Sequence, residues 1–125
     1  MKKKEMKINK KVLVIDDESD LCALIKMVFL RENFHVYYAL NLADAERKLL
    51  LRHHDIVFLD HNLPDGLGLE YFHEHPDSFN NSYTVLMTAD ANPGISVQAM
   101  QEGIDEFILK PFTIKIMKEI IIKAS

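Results

Sequence analysis

The chain has 125 residues, 48% of them apolar and 27% charged, with a net charge of -4. That length suits one compact domain with a buried core, and the mild acidity gives no reason to expect nucleic acid as the main partner. The single cysteine, Cys22, excludes an intramolecular disulfide, and no apolar run approaches the roughly 20 residues that span a bilayer.

Lys2, Lys3, Lys4, Lys7, Lys10 and Lys11 crowd the start of the chain. Residues 1–10 therefore read as a basic, solvated extension, and 11–125 as the folded domain. No apolar signal core follows these lysines, so the cytoplasm is the expected location. Lys11-Val12-Leu13-Val14-Ile15 is a short β-branched run that reads as a buried strand ending on Asp16-Asp17-Glu18. Ser19 or Asp17 is expected to cap a helix carrying Leu21, Leu24, Ile25, Val28 and Phe29 at helical spacing. Cys22 falls in this apolar stretch and reads as a small buried hydrophobe, not a nucleophile. Asn33 is expected to close the helix in the left-handed conformation.

Phe34 to Ala39 gives a second strand, and Asn41 caps a helix with Leu42, Ala45, Leu49 and Leu50 on one side. Asp55 to Leu59 is a third strand that ends on Asp60. A turn-rich stretch, Asn62 to Gly68, leads into a short helix over Leu69 to His75, closed by Pro76. A polar loop follows, from Asp77 to Ser82. Tyr83 to Met87 is a fourth strand ending at Thr88. Asn92-Pro93-Gly94 opens a helix through Met100 that Gly103 terminates. Glu106 to Leu109 is a fifth strand ending at Lys110-Pro111. Thr113 caps a last helix, with Ile114, Met117, Ile120 and Ile121 facing inward.

Continuous apolar strands alternating with amphipathic helices imply a parallel sheet covered on both faces, a doubly wound α/β fold. Ligands of such sheets bind at the carboxyl ends of the strands. Those ends carry Asp16, Asp17 and Glu18, then Asp60, Thr88 and Lys110. Several acids in one cleft repel one another, and a hard divalent cation relieves that repulsion. Oxygen-only ligands favour Mg²⁺ over Zn²⁺. Lys110 and Thr88 suit phosphoryl oxygens, one by charge and one by a hydrogen bond. A carboxylate can act as the nucleophile in phosphoryl transfer, which gives Asp60 a role.

These residues resemble the receiver domain of two-component response regulators, over Lys11 to about Lys123. The resemblance rests on Val14-Ile15-Asp16-Asp17-Glu18, on Leu59-Asp60-His61-Asn62-Leu63-Pro64 with Gly68, on Met87-Thr88-Ala89, and on Leu109-Lys110-Pro111-Phe112. It implies a flavodoxin-like sheet of five parallel strands in the order 2-1-3-4-5. It implies that Asp60 accepts phosphate from a histidine kinase or phosphotransfer protein. Asp17, Asp60 and the backbone carbonyl of Asn62 would bind Mg²⁺, with Asp16 acting through water. Thr88, the Ala89 N–H and Lys110 would hold the phosphoryl oxygens, and the Lys110–Pro111 bond would be cis. Thr88 and Phe107 would form the switch. Phe107 stands where Tyr is common and has no hydroxyl to bond. Asn62 and Asp90 occupy variable positions, and Asp90 is expected to affect the water that attacks the phosphoryl group.

The resemblance also implies an output surface on the fourth helix, fifth strand and fifth helix, with Ile95, Met100, Ile116 and Ile120 as candidates. The partner there is an output domain or a separate protein. Homodimerisation on activation is an open option, and no nucleic acid or membrane is expected on this domain itself. A following domain is common in the family, which favours a piece of a longer regulator over a stand-alone receiver.

Two other classes compete. An aspartyl-phosphate phosphatase or phosphotransferase would carry a second Asp two residues after the nucleophile as general acid, and Asn62 stands there instead. A receiver-like interaction module that is never phosphorylated would have no need of Asp16, Asp17, Asp60, Thr88 and Lys110 together. The six histidines give no zinc pattern: His73 and His75 lack helical i, i+4 spacing, His53 and His54 suit a helix end, and His61 borders Asp60.

Overall fold

A computed structural model of the protein describes residues 10–124. Apart from Lys10, the basic extension lies outside the described residues. β1 (Lys11–Ile15), β2 (His35–Ala39), β3 (Ile56–Asp60), β6 (Tyr83–Thr88) and β7 (Glu106–Leu109) form one sheet in the order β2-β1-β3-β6-β7, with every neighbouring pair parallel. This is the expected 2-1-3-4-5 order. β4 (Asn62–Leu63) and β5 (Gly66–Leu67) form a small antiparallel ribbon beyond the end of β3. The helices are α1 (Ser19–Arg31), α2 (Leu42–Leu51), α3 (Gly68–Glu74), α4 (Pro93–Glu102) and α5 (Ile114–Lys123).

The sheet has two buried faces because side chains alternate along each strand. Val12, Val14, Phe58, Val85 and Met87 face one core with Ile25 and Phe29 of α1 and Met117 and Ile120 of α5. Leu13, Ile15, Val57, Leu59 and Leu86 face the other with Ala45 of α2, Leu69 and Phe72 of α3 and Ala99 of α4. Phe29 locks the first core by edge contacts to Phe34 at 5.0 Å and Phe58 at 5.5 Å between ring centroids.

Most helix boundaries follow the local chemistry read from the sequence. Asn41 accepts from the Asp44 N–H at 2.8 Å, Thr113 from the Ile116 N–H at 3.2 Å, and Asn92 from the Gly94 N–H at 2.9 Å. Asn33 adopts φ 66° and Gly103 φ 102°, both left-handed, just past α1 and α4.

Several expectations fail. Neither Ser19 nor Asp17 caps α1; Glu18 stands at the N-cap without a side-chain capping bond, and Asp16 Oδ1 takes the Glu18 N–H at 2.8 Å instead. Residues 76–79 form a 3-10 turn in what reads as loop, because Phe79 is drawn into the core against Phe72 and Tyr71. Leu50 is 78% exposed and Ile114 44%, so neither faces inward. Helical spacing fixes a stripe but not its width, and α2 and α5 each lie on the sheet along a stripe narrower than their apolar content.

Candidate phosphoacceptor and metal site

Four strand ends converge at the carboxyl edge of the sheet. The close approach of α3 to β3 depends on Gly68: a Cβ there would stand 2.2 Å from the Asp60 carbonyl oxygen. The Gly68 N–H donates to the His61 carbonyl at 2.8 Å, and the His61 N–H donates to the Met87 carbonyl at 2.8 Å. The loop after Asp60 is thereby tied to both α3 and β6. Asp60 is 4% exposed at the end of β3, Asp16 is fully buried after β1, and Asp17 beside it is exposed. Asp16, Asp17 and Asp60 offer carboxylate oxygens that all lie within 4.8 Å of one another. Among the described residues this is the one such group of three or more potential metal-binding side chains.

Lys110 supplies the counter-charge. Its Nζ lies 2.7 Å from Asp16 Oδ2, 2.9 Å from Glu18 Oε1 and 3.4 Å from Asp60 Oδ1. The contact to Asp16 Oδ2 is an ion contact, not an aligned hydrogen bond, so that oxygen is left without one. The peptide bond Lys110–Pro111 is cis, as expected.

One ammonium does not neutralise this many carboxylates. Burial, then the neighbouring Asp16 charge, pushes the Asp60 carboxyl up to about 6 despite Lys110. Burial also raises Asp16 against the opposing pull of Lys110. Burial alone would lower Lys110; its close contacts with Asp16 and Glu18 override that and hold it above its ordinary value. A set of hard oxygen donors with a surplus of negative charge and an oxygen lacking a hydrogen bond fits a hard divalent cation.

Thr88, fully buried, stands at the end of β6 beside this cluster. Its hydroxyl donates to Asn62 Oδ1 at 3.2 Å and accepts from the Asp90 N–H at 3.1 Å. The Asp90 carboxylate is itself taken by the Asn92 N–H at 2.9 Å. Ala89, next to Thr88, is exposed and lines a cavity of about 740 Å³ together with Asp17, Glu18, Lys110, Pro111 and Phe112. Phe107 on β7 is half-buried against the second core.

The chain order brings the candidate residues other than Phe107, which sits within β7, to this edge, but not their pairings. The Glu18–Lys110 contact joins residues 92 apart, and no local signal announces it. The sequence suits His54 to a helix end, yet α2 stops at Leu51 and His54 is 1% exposed, edge-on to Tyr37, with both ring nitrogens unpartnered.

The family model of the response regulator receiver domain matches residues 12–122. The chain belongs to that family. This receiver domain is 31% identical over 103 residues to the transcriptional regulatory protein ResD of Bacillus subtilis (strain 168), covering 82% of this chain and 42% of that protein. It is 26% identical over 114 residues to the response regulator protein PilR of Pseudomonas aeruginosa, covering 91% of this chain and 26% of that one. The chain thus spans less than half the length of these relatives. Its fold matches that of a two-component response regulator from Clostridium difficile with a TM-score of 0.87 at 23% identity, over 93% of this chain and 95% of that one. A CheY-like receiver domain protein from Methanospirillum hungatei JF-1 gives 0.85 at 22% identity, over 94% of each chain. Receiver domains of two-component signalling generally bind Mg²⁺ at an acidic pocket and work with histidine kinases and output domains. This receiver has the acidic cluster, and among its described residues no helix is long and apolar enough to cross a membrane.

Proposed function

We propose that this receiver accepts a phosphoryl group on Asp60 in a Mg²⁺-dependent reaction and uses it to switch its α4–β7–α5 surface. The observation that carries this reading is the carboxylate triad Asp16, Asp17 and Asp60 at the end of the sheet, with Lys110 Nζ 3.4 Å from Asp60 Oδ1. Asp17, Asp60 and the Asn62 backbone carbonyl would hold the ion, with Asp16 acting through water. When bound, the ion neutralises the transferred oxygens and offsets the repulsion among the carboxylates.

The remaining chemistry belongs to side chains. An Asp60 carboxylate oxygen attacks phosphorus of a phosphohistidine on a histidine kinase or phosphotransfer protein. The new P–O bond forms as the P–N bond breaks, and the imidazole nitrogen keeps the electron pair and later takes a proton. The product is an acyl phosphate. Lys110, the Thr88 hydroxyl and the Ala89 N–H hold its oxygens, so catalysis is mostly positioning and charge compensation. Hydrolysis reverses the state: water attacks phosphorus, the P–O bond to Asp60 breaks, and the carboxylate returns with release of inorganic phosphate. Asp90 borders the approach of that water.

Thr88 moving toward the phosphoryl group leaves space beside β6 for Phe107, whose burial then rests on packing alone. Val97 and Met100 of α4, Leu109 of β7, and Ile114 and Ile122 of α5 are exposed and give the surface its apolar content. Ile120 is fully buried and belongs to the core, so it drops out of the expected output residues, and Ile95 and Ile116 are half-buried. An output domain or a partner protein would read this surface.

Acetyl phosphate and Mg²⁺ test the reading. Wild type should gain the mass of one phosphoryl group in an acid-stable, base-labile form, and Asp60→Asn should not. No gain in wild type would leave the chain as a phosphorylation-independent interaction module.

A further inference from the structure

Thr88 has one hydroxyl proton, and that proton is already used. It points to Asn62 Oδ1 at 3.2 Å, while the Thr88 hydroxyl oxygen itself accepts from the Asp90 N–H at 3.1 Å. The hydroxyl is thus held between two loops, the one after β3 and the one after β6. A hydroxyl donates a single hydrogen bond. Thr88 therefore cannot donate to a phosphoryl oxygen on Asp60 until Asn62 lets go. Thr88 is fully buried with its backbone held in β6, so its hydroxyl has no access to water, whereas Asn62 is exposed on the two-residue strand β4. Asn62 is thus the partner that can swing away into water, where its amide oxygen finds replacement bonds.

We propose that the Asn62 side chain is a latch: by accepting the Thr88 hydroxyl proton it holds the domain in its unphosphorylated state and competes directly with the phosphoryl group for that proton. The latch rests on the phosphoacceptor reading of Asp60. It assigns the Asn62 side chain a role separate from that of its backbone carbonyl. Asn62 acts through Thr88, as a positioning residue, and need not touch the phosphoryl group.

The latch sets a threshold on activation. A phosphoryl group must supply an acceptor better than the Asn62 amide, and a doubly charged oxygen cluster is one. A weaker anion in the same pocket would leave Thr88 where it is. Breaking the latch should therefore make the active state easier to reach with no new contact to the ligand.

The test uses beryllofluoride with Mg²⁺ as a phosphoryl mimic, titrated into the full chain and followed by the amide NMR signals around Thr88. Asn62→Leu keeps the volume of the side chain but accepts no proton. Its apparent Kd should be about three- to tenfold tighter than that of wild type, the span of one net neutral hydrogen bond. In a Thr88→Ala background, where there is no proton to compete for, Asn62→Leu should change the Kd little. Equal binding by wild type and Asn62→Leu overturns the latch. So does an equal gain in the Thr88→Ala background, which would assign the effect to easier access. If Thr88→Ala unfolds, Thr88→Val with its similar volume replaces it in the cycle. Failure of wild type to bind the mimic at all removes the phosphoacceptor reading, and the latch with it. Binding with equal constants removes the latch alone.

Discussion

Acids stand at both ends of the same sheet, in opposite circumstances. At the amino edge, Asp55 Oδ2 accepts from the Lys11 N–H at 2.8 Å and Asp105 Oδ2 from the Thr84 N–H at 2.8 Å. Each carboxylate meets the first free amide of a neighbouring strand, and the backbone returns the bond: the Asp55 N–H donates to the Lys11 carbonyl and the Asp105 N–H to the Thr84 carbonyl. These acids stitch strands together. At the carboxyl edge, Asp16, Asp17 and Asp60 crowd within 4.8 Å, and Asp16 and Asp60 share the Lys110 ammonium with Glu18. An acid paired one to one with backbone stabilises the fold, whereas acids crowded against one another store repulsion that a ligand can relieve.

Four experiments probe that contrast. Gly68→Ala should have the largest effect, because its Cβ would stand 2.2 Å from the backbone carbonyl oxygen of Asp60. A loss of at least about 3 kcal/mol is expected in urea unfolding, since α3 must move away from β3. A neutral result would mean that the carboxyl edge is looser than the contact distances indicate.

Next comes Lys110→Ala, which leaves buried Asp16 and Asp60 without their cation. In metal-free buffer the expected loss is about 3 kcal/mol. Added Mg²⁺ should recover part of it in the variant, raising its melting temperature more than that of wild type. An equal shift in both proteins would show that Lys110 and the cation do not answer the same charge.

The two edges also titrate in opposite senses. Asp60 is pushed up from 3.8 to about 6, chiefly by burial, so the native state holds a proton there that the unfolded chain has lost. Its contribution to stability is full below pH 3.8 and is lost as the pH rises to about 6. His54, near the amino edge, is pushed down from 6.5 to about 4, again chiefly by burial. Its contribution is full above pH 6.5 and is lost as the pH falls to about 4. Each amounts to roughly 3 kcal/mol across its window, and the two oppose each other. Metal-free wild type should therefore show a shallow dependence between pH 4 and 6. Asp60→Asn should unmask a loss toward acid, and His54→Leu a loss toward neutral pH. Melting curves with the same slope in all three proteins would contradict the contrast.

The smallest effects belong to the stitching acids. Asp55→Ala and Asp105→Ala should each cost about 1 kcal/mol by chemical denaturation, and neither should alter acetyl phosphate labelling. A labelling defect in either variant would mean that the amino edge reaches the site through the strands.

Much of the fold is legible along the chain because its causes are local. The strands β1, β3, β6 and β7 are largely apolar runs that close on a polar residue, Asp16, Asp60, Thr88 and Lys110. The caps at Asn41, Asn92 and Thr113 and the left-handed turns at Asn33 and Gly103 depend on a residue and its near neighbours. The failures are those where a distant partner decides. Asp16 takes the Glu18 N–H at the start of α1 because its other oxygen faces Lys110, on the far side of the sequence. Phe79 turns a polar loop into a 3-10 turn because Phe72 offers it a buried face. Leu50 and Ile114 satisfy the helical period and still face solvent.

By itself the sequence determined which residues reach the carboxyl edge. In a parallel sheet the residue closing each apolar run lies at that edge whatever the order of the strands. It thus placed Asp16, Asp17, Asp60, Thr88 and Lys110 together before any distance was known. Only the tertiary structure decided how they divide their bonds: Lys110 among three carboxylates, the Thr88 proton on Asn62, and His54 sealed without a partner. The physical reason is range. Periodicity and capping act over a few residues, whereas the sharing of a charge or a proton is settled by distances between strand ends set by sheet register and by the close approach that Gly68 permits.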